Sequence, residues 1–319
     1  MTNNEIRPVY YDCDTGIDDA LGLGYLMFSP EVSLVGVGTV SGNIDAEQAA
    51  ENTLRLMGLA GRRDIPVAIG ERHFLTREYL GGPVHIHGHD GLGNVTLPKV
   101  DLEPGDETAA EMLVRLSHEH AGALEIISVG PLTNLARALE LDATLPSRVK
   151  RVTSMGGAVL VPGNASPVAE ANIWNDPEAA AIVLRADWPV TLVPLDVTLE
   201  NILEESHRAQ LLAADKPFPR AIGHILDLYY DFYTPQYGRR CSALHDPLAA
   251  AIGVGTITPL KSPWVEVAVD DSHGIGRGQV IADLRGQRLD PVDQEGANVR
   301  VVLETDRKLP DLLVQRLTS

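Results

Sequence analysis

The feature that most constrains this chain is a regular alternation of short apolar runs with amphipathic ones. PVYYD, VSLVGVGTV, IPVAIG, LEIISVG, VKRVTSMGG and WPVTLVPLDV read as strands, and residues 45–60, 107–119, 132–141 and 177–185 carry helical spacing. Parallel strands need a crossover of a dozen or more residues, usually a helix, and strands buried on both faces are apolar almost throughout. The pattern therefore predicts an α/β fold with a mostly parallel open sheet flanked by helices. The first strand is expected over 6–14. Residues 201–232 read as helical, WVEVAVD, GQVIADL and NVRVVLE as further strands, and 306–317 as a last helix. No repeat, low-complexity tract or linker divides the chain, so 1–319 is read as one domain. In such sheets ligands bind beyond the carboxyl ends of the strands, which makes the polar residues after each strand the ones to inspect.

Composition narrows the function. Of 319 residues, 26 are Lys or Arg and 44 Asp or Glu, a formal charge of −18. A surface that acidic is a poor partner for nucleic acid or an anionic membrane, and suits a neutral ligand, a cationic one or a metal ion. No apolar run is long enough to span a bilayer, and polar MTNNE opens the chain in place of a secretory leader. Cys13 and Cys241 lie far apart and form no ligand pattern, so both are read as reduced thiols in a cytoplasmic protein.

The stretch YYDCDTGIDDAL then stands out. Asp12, Asp14, Asp18 and Asp19 fall within eight positions at the end of an apolar strand, although like charges repel and carboxylates are costly at the edge of a core. Alternation along a strand puts Asp12 and Asp14 on one face and Cys13 on the other. Asp18 and Asp19 fit the first turn of a following helix, where the macrodipole favours negative charge. Helix capping alone leaves Asp12 and Asp14 unexplained. A bound cation explains all four, and oxygen ligands without a Cys/His set favour Ca²⁺ or Mg²⁺. A second reading stays open: DCDT resembles the start of the haloacid-dehalogenase-type phosphatases, Mg²⁺-dependent phosphohydrolases that need a phosphate-neutralising lysine. The lysines here, Lys99, Lys150, Lys216, Lys261 and Lys308, sit in no suggestive motif.

Four later segments add polar chemistry. GNASPVAEAN brings Asn164, Glu170 and Asn172 into one loop, and two amides with a carboxylate suit hydroxyl recognition. HIHGHDGLGN packs three histidines into a glycine-rich segment, read as a mobile cover over a substrate or as plain surface. ALHDPLAAA opens a helix with His245, Asp246 and Pro247, so Asp246 is either a cap or a fifth site carboxylate. The run DLYYDFYTPQY offers Tyr229, Tyr230, Phe232, Tyr233 and Tyr237, mostly core, with one or two able to stack on a flat ring. GIGRG at 274–278 does not lie between a strand and a helix and carries little weight as a dinucleotide motif.

In order along the chain, DCDTGIDDAL, SGN, HIHGHDGLGN, SVGPLTNLA, MGGA, GNASPVAEANIWNDPEAA and LHDPLAAA resemble the nucleoside hydrolases, particularly the inosine–uridine-preferring branch. The resemblance spans about 8–253. It implies hydrolysis of the N-glycosidic bond of ribonucleosides with a tightly bound Ca²⁺. It further implies Asp14, Asp19, Asp246 and the backbone carbonyl of Val129 as calcium ligands, with Asp14 also the general base. Asp18, Asn43, Asn164, Glu170 and Asn172 become ribose readers, His87 and Met155 line the pocket, and His245 or Tyr233 helps the leaving base. Asp12 supports the ligands, and Thr15 replaces a frequent proline in the turn. The family forms dimers and tetramers, so a homodimer or homotetramer is expected. A non-catalytic nucleoside or ribose sensor on the same fold is the remaining alternative; loss of Asp14 or Asp246 would favour it, and both are present.

Overall fold

The structure, a computed structural model, describes residues 6–287 and 290–319; the opening MTNNE lies outside the described residues. Six parallel strands form the body of the sheet: β1 (Arg7–Cys13), β2 (Val32–Thr39), β3 (Val67–Ile69), β4 (Leu124–Ser128), β5 (Val149–Met155) and β6 (Val190–Val193). Val299–Val301 continues it in parallel beyond β6, and Trp264–Val265 closes that edge antiparallel. Across the eight-stranded sheet the order is Trp264–Val265, Val299–Val301, β6, β5, β4, β1, β2, β3. The order reverses between β1 and β4, so their carboxyl ends flank the crevice where a ligand has room.

Side-chain alternation divides the interior into two cores. Tyr11 and Ile127 face one side, where they join Leu248 and Ile225; Tyr10, Ile126 and Val152 face the other, with Leu135 and Leu184. The expected single-domain α/β fold is therefore present, with helices on both faces. Most helix boundaries fall within a residue or two of those predicted: Ala46–Leu59 starts at the Asp45 cap, which accepts from the Gln48 amide at 2.9 Å, and Pro177–Arg185 is reproduced. Β1 stops at Cys13, one residue short of Asp14, because the chain turns there to begin the Ile17–Met27 helix.

The later part departs from the expectation. Residues 201–232 are not one helical stretch. Ile202–Glu204 is a short strand paired with Cys241–Ala243, and helices Glu205–Ala213 and Pro217–Tyr237 are separated before Pro217. A proline lacks the N–H that a continuing helix needs, and fits the first turn of a new one. WVEVAVD is divided between the main sheet and a separate ribbon of Val267–Val269 with Val280–Ala282.

One charged cluster anchors the site helix from below. The Asp246–Gly253 helix ends on carbonyls of Gly253 and Val254, which accept from Arg7 Nη2 and Nη1 at 2.5 Å each. Buried Glu125 holds Arg7, and also Arg151 at 2.9 Å and Lys150 at 3.0 Å. Cations at a helix C-terminus complement the macrodipole, and the N-terminal end of this helix carries Asp246.

Candidate active site

Three carboxylates, Asp18, Asp19 and Asp246, present oxygen atoms that lie within 4.8 Å of one another, all buried. Two full charges at that separation repel by about 3–4 kcal/mol at an effective dielectric constant of about 20. Three such pairs would consume roughly the whole stability of a domain. The group must therefore hold protons or a cation. Desolvation and mutual repulsion push Asp18 up to about 7 and drive Asp14 and Asp246 well above the usual carboxylate range. The chemistry of the donor set, oxygen only, fits a hard divalent cation.

Local structure explains how the chain assembles this charge. Gly16 caps the Ile17–Met27 helix, and Asp19 reaches back to accept from the amides of Gly16 (2.9 Å) and Asp14 (3.0 Å). Asp14 stands next to Asp19, just past β1. Its Oδ2 accepts from the Asn43 amide at 2.6 Å, while its Oδ1 is buried without a partner, as is Oδ1 of Asp18. Two orphaned carboxylate oxygens at the edge of the cluster point to a ligand that satisfies them. Asn43 also donates from Nδ2 to Asp19 Oδ2 at 3.0 Å. The turn after β2 approaches this closely because residue 42 is glycine: a Cβ there would stand 2.0 Å from Asp14 Oδ2.

The remaining predicted residues are distributed around this centre. Val129 follows β4, and its carbonyl accepts from Asn172 Nδ2 at 2.7 Å; the same amide meets the Met155 carbonyl at 3.3 Å and its sulfur at 3.4 Å. Glu170 is buried, caps the Ala171–Asn175 helix and accepts from the amides of Gly157, Asn172 and Ile173; burial still raises it to about 7. Asn164 lies at the rim beside them. It is exposed and spends its Oδ1 on the Ala171 amide at 3.0 Å. Asp12 likewise stays out of the cluster, accepting from Tyr10 Oη at 2.9 Å and Asn134 Nδ2 at 3.0 Å on the opposite sheet face. The strand rule that paired Asp12 with Asp14 fails because β1 ends between them.

An aromatic wall faces the carboxylates. Tyr229 and Tyr233, one helical turn apart on the Pro217–Tyr237 helix, pack edge to face with centroids 5.0 Å apart. His87 packs on Tyr229 at 5.6 Å, and its Nδ1 accepts from the Ile17 amide at 3.1 Å, which leaves the ring proton on Nε2. The HIHGHDGLGN segment is not a loose cover: Val84–His87 is a helical turn, Asp90 Oδ1 accepts from Leu92 and Asn94 amides, and Asn52 holds the Asp90 carbonyl. The helix expected to end at 232 continues to Tyr237 and carries the whole aromatic run. Tyr233 Oη meets His245 Nε2 at 2.7 Å, and His245 Nδ1 meets Thr198 Oγ1 at 2.8 Å. Burial holds His87 down to about 3 and His245 to about 4, so both rings are neutral near pH 7. Thr198 was not singled out from sequence, although it follows β6 and the strand-end rule could have found it.

A family model described as inosine-uridine preferring nucleoside hydrolase matches residues 9–309. The chain belongs to that family. Among similar proteins, a probable uridine nucleosidase 2 from Arabidopsis thaliana is 33% identical over 96% of this chain and 95% of its own length. A pyrimidine-specific ribonucleoside hydrolase, RihA, from Photobacterium profundum is 33% identical over 98% and 99%. Of solved structures, a plant nucleoside hydrolase, PpNRh1, superposes with a TM-score of 0.90 at 33% identity, covering 98% of this chain and 99% of that one. A purine-preferring ribonucleoside hydrolase from Gardnerella vaginalis gives 0.87 at 30%, covering 98% and 97%. Nucleoside hydrolases are N-glycosidases, so this chain is an enzyme of that class. No helix among its described residues is long and apolar enough to cross a membrane.

Proposed function

We propose that this nucleoside hydrolase cleaves the N-glycosidic bond of purine and pyrimidine ribonucleosides, giving ribose and free base, with a bound Ca²⁺. The observation that carries the reading is the buried oxygen cluster facing an aromatic wall. One side suits a cation and a polyhydroxyl sugar, the other a flat heterocycle. Asp19 and Asp246, with Asp14 and the Val129 carbonyl, are the proposed ligands; Asp18 belongs to the same cluster and is the reader of a ribose hydroxyl beside them. When bound, the ion offsets the cluster's charge and orders water and the sugar diol.

The chain's own groups then divide the reaction. The free Asp14 Oδ1 takes the proton of the attacking water as its oxygen bonds to C1′. Cleavage of C1′–N gives C1′ positive character and leaves the electron pair on the base. Asp18, Glu170 and the amide oxygens of Asn43 and Asn172 favour that developing charge. Asn164 contributes a rim contact to the sugar. His87 and Met155 bound the pocket. Tyr233 offers its hydroxyl proton to the leaving base. His245, neutral by burial, acts as the hydrogen-bond partner that orients Tyr233 and not as a standing acid. Purine rings, which leave best when protonated on a ring nitrogen, depend on this chain more than pyrimidines.

The test is ribose release from inosine, uridine, cytidine and adenosine, with and without prolonged chelation. Calcium-dependent release from inosine and uridine is expected. Absence of ribose from every nucleoside by a protein with calcium bound would favour a sensor. Phosphate release from phosphomonoesters would favour the phosphohydrolase, although Lys150 lies at the opposite end of β5, paired with Glu125.

A further inference from the structure

The buried amide of Asn134, in the PLTN stretch after β4, touches neither the carboxylate cluster nor the aromatic wall, yet it is wholly buried and makes three hydrogen bonds, each directed at a strand end. Nδ2 donates to Asp12 Oδ2 (3.0 Å) in β1 and to the Thr39 carbonyl (2.9 Å) at the end of β2. Oδ1 accepts from the Glu71 amide (2.9 Å) just after β3. The Thr39 carbonyl also receives the Gly70 amide at 2.9 Å, and the Glu71 carbonyl receives the Ser41 amide at 3.1 Å. Ser41 leads through Gly42 to Asn43, whose amide lies on Asp14. The Asp12 carbonyl in turn accepts from the Val129 amide at 2.8 Å.

We infer that Asn134 is a positioning residue that fixes the relative heights of the strand ends carrying Asp14, Asn43 and Val129, and so sets the geometry of the oxygen cluster. The amide suits this role because it both donates and accepts. Neither Asp nor Leu, of similar size, does both. Its removal leaves Asp12 Oδ2 with Tyr10 alone, while Asp12 Oδ1 already has no partner. The fit is tight: a Cβ on Gly70 would stand 2.1 Å from Asn134 Oδ1. Groups that orient metal ligands from behind change metal affinity or activity by roughly 10–100-fold when removed.

The inference rests on the calcium-dependent reading above, and the experiment separates the two. Calcium affinity by calorimetry and kcat and KM for inosine are measured for wild type, N134A, G70A and L145A. Leu145 is fully buried in a 3-10 turn at the start of β5, the end of the sheet away from the site, and serves as a destabilised control. Expected are calcium affinity and kcat/KM about 10–100-fold lower in N134A, a smaller loss in the same direction in G70A, and wild-type affinity in L145A despite its lower Tm. If N134A does not fold, G70A carries the test, because its Cβ would press on the Asn134 amide oxygen and on the Thr39 carbonyl that the same amide holds, without deleting a hydrogen-bonding group. Wild-type calcium affinity in the folded Asn134 or Gly70 variant, or a loss equal to that of L145A, would overturn the inference. Failure of the wild type itself to bind calcium or release ribose would instead overturn the proposed function.

Discussion

The two walls of the candidate active site are built by different means. The carboxylate wall is assembled from strand ends and helix starts: Asp14 after β1, Asn43 after β2 and Val129 after β4, with Asp18, Asp19 and Asp246 in first turns of helices. Backbone amides tie it together, Asn43 to Asp14, Val129 to the Asp12 carbonyl, and Asp14 and Gly16 to Asp19. The aromatic wall is presented by one long helix, Pro217–Tyr237, with the Val84–His87 turn packed against it; His87 is held by the Ile17 amide, but Tyr233, His245 and Thr198 meet side chain to side chain. Hydrogen bonds to backbone leave little freedom. A side-chain chain such as Tyr233–His245–Thr198 can change one member while the helix stays. The carboxylate wall is therefore expected to be intolerant and common to every substrate, and the aromatic wall adjustable and selective between bases.

Four experiments test that contrast. The largest effect is expected for Asp14→Ala, which removes the proposed base: turnover of every nucleoside should fall by about 10³-fold or more. A variant retaining a tenth of wild-type kcat would move the base elsewhere. Next is Gly42→Ala, whose Cβ would collide with Asp14 Oδ2. Here kcat/KM should drop by roughly 10²-fold and equally for inosine and uridine, the magnitude expected of a small misplacement of reacting groups. A base-dependent drop would contradict the assignment of this wall to the sugar.

His245→Ala should act on the other wall, slowing inosine by about 10-fold or more while uridine changes little. Normal inosine turnover in this variant would remove His245 from the leaving-group path. The smallest effect is on stability. Asp18, Glu170 and Asp12 are raised to about 7, chiefly by desolvation. A carboxyl whose folded pKa is raised contributes stability that is complete at low pH and lost as pH rises through the folded value. His87 and His245 are depressed and have the opposite sign, but their contribution is nearly complete by about 6.5, the ordinary histidine value. Between pH 6.5 and 8 the three carboxylates outweigh the two histidines, whose unfolded forms lose their last protons by about pH 7.5. Tm of chelated protein should fall across that window, and calcium should flatten the fall. A chelated Tm that rose with pH would mean that the cluster is not buried as described.

The local motifs were legible because their chemistry is local. Asp18 and Asp19 sit in the first turn of a helix and Asp246 begins another, as spacing and capping rules predict. Glu170 and Asn172 share one short helix start. Where the reading failed, a boundary decided. The end of β1 at Cys13 sends Asp12 and Asp14 to different environments, and the break before Pro217 divides the expected helical stretch so that a separate helix carries Tyr229 and Tyr233. Asn134 lies in SVGPLTNLA after a strand, where the strand-end rule points, but the bonding of a buried amide is recognised only by what surrounds it.

The sequence by itself determined the α/β alternation, the carboxylate-rich turn after the first strand and the family, because these depend on periodicity and on residues close together in the chain. Only the tertiary structure decided that Asp246 joins Asp18 and Asp19, that Asn134 ties three strand ends, and that His245 is neutral behind Tyr233. Those facts depend on strand order and burial. They arise from parallel crossovers that align the strand ends and from packing of the Asp246–Gly253 helix beside the Ile17–Met27 helix, which brings residues more than two hundred positions apart together and excludes water from them.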